Sequence, residues 1–192
     1  MGGSWLGWVG RECQMHPVGH HAAVSDMQRE GAVITDVVEY RCSTTGVAET
    51  QDVKVKIELT MPAEATAGEQ MTIGWRGTYV SDATALRAPA TGLAADTKLY
   101  AAVSGLAGLT SATGVGELAS IGPTQIIPLP TAVLPLKTTS SKAGTAMVRS
   151  AAVNAGTRPT EPSIQCEVQN ADALTTHPLA IASADDRPTR PR

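Results

Sequence analysis

The residues best equipped for chemistry gather in a few places, and none holds a complete catalytic set. Near the start, Cys13, His16, His20 and His21 follow one another as C-x2-H-x3-H-H. Thiolate and imidazole are ligands that zinc favours, and this spacing could place them along one helical face. Pro17 interrupts the segment, the adjacent histidines point to different faces, and no second ligand pair stands at finger distance. No metal is expected there. Farther along, Gly114-Val115-Gly116-Glu117-Leu118-Ala119 fits the G-x-G-x-x-A dinucleotide fingerprint. That fingerprint works only where a helix starts at the glycines and holds a pyrophosphate at its N-terminus. Gly122-Pro123 ends the segment within a few residues, so it reads as a glycine-bearing strand and no cofactor is expected.

Nucleophilic and acid–base chemistry fare no better. There is no G-x-S-x-G elbow, and the one histidine beyond residue 21 is His177. Glu58, Glu64, Glu69 and Glu117 are scattered over strands and turns, with no sequence feature that pairs two of them for glycosidic chemistry. The chain is not expected to be an enzyme. Trp75, Tyr79 and Tyr100 are the aromatic candidates for a ligand face, able to stack on sugar rings if exposed. Trp75 and Tyr79 share strand parity with the apolar Met71 and Ile73, which favours burial.

Cysteine chemistry is the clearest signal. Cys42 precedes the first regular strand and Cys166 lies in the last, and first and last strands of a β-sandwich often lie close. A Cys42–Cys166 bridge would close a loop of about 125 residues, for which chain entropy gives roughly 5 kcal/mol at most. The alternative is two buried free thiols. With the bridge comes an oxidising compartment, and Cys13 is left over.

The elements that must position these residues read as strands. Val53, Val55, Ile57, Leu59 and Met61 alternate with Lys54, Lys56, Glu58 and Thr60, the pattern of a half-buried antiparallel strand. Pro62 to Glu69 is a turn, and Met71 to Val80 alternates again with Trp75 inward. Further strands are expected at residues 32–42, 97–103, 114–121, 143–153 and 163–168. Residues 126–136 carry Pro128, Pro130 and Pro135 and read as an edge strand or an extended connection through which copies could associate. In residues 143–153 the set Ala146, Val148, Ser150 and Ala152 is the expected inner face, and Asn154 to Thr157 is a turn. The fold class is therefore all-β, an immunoglobulin-like antiparallel β-sandwich of about seven strands. The expected domain spans 36–169, between a flexible leader (1–35) and a disordered tail (170–192) that ends in a proline- and arginine-rich run.

Bulk properties narrow the partners. Lys and Arg number 15 against 18 Asp and Glu, a net charge of −3 that attracts neither nucleic acid nor an anionic membrane. No apolar run reaches the roughly 18 residues of a transmembrane helix. Phe is absent, so the core must be built from small aliphatic side chains.

Tyr40-x-Cys42, the strand from Val53 to Pro62, Gly68-Glu69, the proline-rich stretch Pro123 to Pro135 and Cys166 together resemble a family of uncharacterised secreted or cell-surface domains of actinobacteria. The resemblance spans about Val38 to Gln169. It implies an immunoglobulin-like sandwich outside the cytoplasm and brings no catalytic residue. Members usually carry a signal peptide before the first cysteine strand, a pattern that Met1 to Asp26 does not follow. The expectation is an extracellular or cell-surface module, acting in adhesion or envelope structure through a protein or cell-wall glycan partner. A carbohydrate-binding module and a virion or filament component are the alternatives.

Overall fold

A computed structural model describes residues 30–104 and 112–186. The expectations placed on Cys13, His16, His20 and His21 lie outside the described residues.

Nine strands run through them: β1 (Glu30–Thr44), β2 (Thr50–Pro62), β3 (Gln70–Tyr79), β4 (Lys98–Ser104), β5 (Thr113–Glu117), β6 (Leu134–Thr139), β7 (Gly144–Gly156), β8 (Ile164–Val168) and β9 (His177–Ile181). Every strand ladder is antiparallel, in one sheet of order β4-β5-β6-β3-β2-β1-β8-β7-β9. β7 pairs with β4 as well, so the first eight strands close into a ring. Within it β7 returns to lie beside β4, which completes a Greek key with β5 and β6.

The all-β antiparallel class matches the expectation, and the details differ. There are nine strands among the described residues where about seven were expected. The second and third strands pair with each other from Val55↔Tyr79 to Thr60↔Gly74. In the immunoglobulin arrangement the second and third strands belong to different sheets.

Strand alternation builds the core as the sequence suggests. Val53, Val55, Ile57, Leu59 and Met61 on β2 are all buried, as are Met71, Ile73 and Trp75 on β3. Each fully buried aliphatic side chain of this size contributes about 1.5–3 kcal/mol. On the outer face Lys54 meets Glu39 at 2.7 Å, while Lys56 and Arg76 flank Glu58 at 3.3 and 3.9 Å. These pairs are solvent-exposed, where such bridges are worth roughly 0–1 kcal/mol.

β7 shows why strict alternation misleads. Ala101 of β4 pairs with Val153, but Val103 pairs with Ser150. Three steps along β7 thus match two along β4, a β-bulge that reverses side-chain parity. Ala146, Val148 and Ser150 face the core before it, as expected; Val153 and Ala155 face the core after it, and Ala152 does not. The strand also runs through Asn154 to Gly156, where a turn was expected.

The ends of the domain differ from the sequence reading too. β1 begins at Glu30, inside the expected leader. Residues 170–186, read as part of a disordered tail, hold two short 3-10 turns and β9, which pairs with β7 from Val148↔His177 to Gly144↔Ile181. Leu174, Leu179 and Ile181 are buried in the common core, and this burial is what orders a segment of unremarkable composition. The connection is stitched to β1: the Asn170 carboxamide accepts from the Glu39 N–H (2.9 Å) and donates to the Val37 carbonyl (3.0 Å). Just beyond, the Thr175 hydroxyl donates to Asp36 Oδ1 at 2.8 Å.

The proline-rich segment is a connection up to Val133, and β6 starts at Leu134. β6 is no free edge, because it stands between β3, with which Leu134 to Thr139 pairs along its whole length, and β5. Its ladder to β5 is limited to Thr113↔Lys137; two residues back, Pro135 has no N–H to give.

Candidate functional site

Cys42 and Cys166 are bonded, with an S–S distance of 2.08 Å. They are directly opposed across β1 and β8, both on the inner face and both buried. The backbone groups of Glu39 turn towards the β8 side, since Gln169 N–H donates to its carbonyl and Asn170 accepts from its N–H. With a strand period of two, Arg41↔Glu167 is then a hydrogen-bonded pair and Cys42↔Cys166 a non-hydrogen-bonded one, where side chains come closest. The Cα atoms are 4.0 Å apart. The bridge therefore crosslinks neighbouring strands of one ladder, a different geometry from the immunoglobulin bridge between facing sheets.

The aromatic candidates do not form a ligand face. Trp75 lies on the inner face of β3 at 0% exposure. Its indole covers Gly77, the next residue on that face, and a Cβ there would stand 2.5 Å from Cη2. Tyr100 is also buried, at 7% exposure, and its hydroxyl donates to the Thr157 carbonyl at 3.2 Å. Tyr79 is half-buried and donates to the Ile127 carbonyl at 2.8 Å; burial pushes its phenol well above the usual value. Each side chain is committed to the fold, which overturns the stacking surface considered for Trp75, Tyr79 and Tyr100.

Tyr40 is a structural residue whose partner the sequence does not mark. It is buried on β1, and its hydroxyl donates to the Ala151 carbonyl at 2.8 Å, in the β7 bulge. Burial raises its pKa as well. No sequence signal marks the bulge, so none marks this partner.

The glycine fingerprint lies on a strand. Gly114 and Gly116 are on the buried face of β5, and a Cβ on either would stand 2.7 Å from Leu136 or 2.6 Å from Pro130. Their purpose is close packing against the proline-rich connection and β6.

A groove of about 640 Å³ opens where the β2–β3 turn meets the end of β9. Glu64, Thr66, Glu69, Met71, Ile181 and Ser183 are among its lining residues. The turn is held there by backbone bonds from Ala182 N–H to the Ala65 carbonyl (2.8 Å) and from Ala67 N–H to the Ala182 carbonyl (2.9 Å). Two carboxylates that the sequence leaves apart thus share one groove. Glu58 and Glu117 are placed elsewhere, beside Lys56 and Lys98. His177 lies at the start of β9. Among the described residues no group of three or more His, Cys, Asp and Glu could hold a metal ion, and no helix is long and apolar enough to cross a membrane.

No family model, curated protein or solved structure matches the chain.

Proposed function

We propose that the chain is an extracytoplasmic structural or interaction module of the cell envelope, without catalytic activity of its own. The observation that carries this reading is the Cys42–Cys166 bridge, formed between paired strands and buried in the core. Such bridges form and persist where the environment is oxidising, and cytosolic proteins seldom keep them.

The assignment of polar groups supports a structural role. The hydroxyls of Tyr40, Tyr79 and Tyr100 serve backbone carbonyls of other elements. Glu39, Asp52, Glu58 and Glu117 pair with Lys or Arg on the surface. Asp36 and Asn170 fasten the C-terminal connection to β1. Carbohydrate binding through Trp75 or Tyr100 is not retained, because both are buried.

Surface labelling of intact source cells with an antibody to the folded chain tests the compartment. Labelling without permeabilisation is expected; labelling only after permeabilisation would overturn the reading.

A further inference from the structure

β9 stands last in the sheet order, so no strand ladder forms on its far side among the described residues. Just past its end, Ala182 is held by the β2–β3 turn: its N–H donates to the Ala65 carbonyl, and its own carbonyl accepts from Ala67 N–H. These bonds make Thr66↔Ala182 a parallel bridge. They also fix which backbone groups face away from β7. By the two-residue repeat of a strand, Ala180 directs its N–H and C=O to the same side as Ala182. Pro178 has the same parity, and a proline suits a position where its nitrogen owes the ladder no bond. One more step of the parallel bridge would bring Ala65 N–H to the Ala180 carbonyl. The two segments diverge before that, and among the described residues no backbone bond joins them there. The groove of about 640 Å³ opens at this divergence, lined by Glu64 and Ala65 from the turn and by Ala180 and Ile181 from β9.

We propose that this groove binds an extended segment of a partner protein that carries a lysine or arginine. The segment pairs its backbone with Ala180 and directs the cation to the Glu64 carboxylate. An outward donor and acceptor on one extended residue are what the edge of a sheet offers to a peptide strand, and a side-chain pocket beside that edge adds selectivity. The approach is open, because Ala180 and Ala182 are exposed and small. Charge selects the side chain. Glu64 and Glu69 are the charged residues of the lining, and no Lys, Arg or His joins them. Exposed Asp185 follows closely, its N–H on the hydroxyl of Ser183, which also lines the groove. Glu69 has contacts of its own within the protein, so exposed Glu64 is the carboxylate that a cation would reach. The inference adds a partner class to the interaction module proposed above. It stands on the groove alone, so binding in solution tests it whatever the cellular compartment.

Fluorescence polarisation of a labelled peptide of about nine residues, alternating lysine and threonine, reads the contact when titrated with the full chain. Saturable binding is expected, and a peptide with glutamate in place of each lysine should bind about tenfold more weakly or worse. E64K reverses an exposed charge and should weaken the lysine peptide about fivefold or more. A180P removes the outward N–H and leaves the ladder to β7 in place, and should weaken the peptide about threefold or more. The circular dichroism of both variants should match the parent. Amide exchange of Ala180 in the unaltered chain reads the backbone pairing without any substitution, and should slow about tenfold or more in the complex. A chain that shows no saturable binding overturns the proposal. So does equal affinity for the lysine and glutamate peptides, or an E64K variant that binds as the parent does. Binding that leaves Ala180 exchange unchanged overturns it as well, since the cation would then be held without a paired strand.

Discussion

The Tyr40 hydroxyl donates to the Ala151 carbonyl at 2.8 Å, tying the first strand to the bulge in β7. A bulge leaves backbone groups outside the ladder, and a buried carbonyl without a donor is costly. Y40F keeps the ring and removes the donor. The expected loss is about 1–2 kcal/mol, read as a lower urea midpoint with an unchanged slope. An unchanged midpoint would show that the bulge does not depend on this bond.

Gly77 exists for Trp75. The missing side chain leaves the space that the indole fills, and a Cβ would stand 2.5 Å from Cη2. G77A should cost about 1–3 kcal/mol through overpacking. In the W75L background the same substitution should cost much less, giving a coupling of about 1 kcal/mol or more in a double-mutant cycle. Additive effects would mean that the ring and the glycine do not constrain each other.

Tyrosine burial makes the fold sensitive to alkali. Burial holds the phenols of Tyr40 and Tyr79 in the folded protein above the ordinary tyrosine pKa of about 10. Below pH about 10 both states keep the proton and stability is unaffected by these groups. Above it, the unfolded chain loses protons that the folded chain retains, so stability falls by about 1.4 kcal/mol per pH unit for each such tyrosine. Urea unfolding from pH 9 to 11.5 should show this decline, and Y79F should reduce its slope. An equal slope in Y79F would contradict the assignment.

Most of the fold's pattern is legible in the sequence where a strand has one wet face. β2 and β3 follow strict alternation, and their burial follows it residue by residue. The failures have local causes. A bulge adds one residue to β7, so Ala152 leaves the core and the strand reaches Gly156. β9 is five residues long and contains Pro178, so its propensity is weak, and pairing with β7 and burial of Leu179 and Ile181 decide its state. The shared groove of Glu64 and Glu69 depends on Ala182 holding the turn, a contact more than a hundred residues away in sequence. The cysteine pair was readable because only strands at opposite ends of the domain carry one each, while its cross-strand geometry needed the register.

The bridge between Cys42 and Cys166 is the centre of the account, since it closes β8 onto β1 and supports the compartment. Thiols should be counted on protein isolated from its native source, unfolded without reductant and alkylated. One modified cysteine, Cys13, is expected, and reduction before unfolding should lower stability by up to about 5 kcal/mol. Three modified cysteines without reductant would contradict the bridge, and with it the placement outside the cytoplasm.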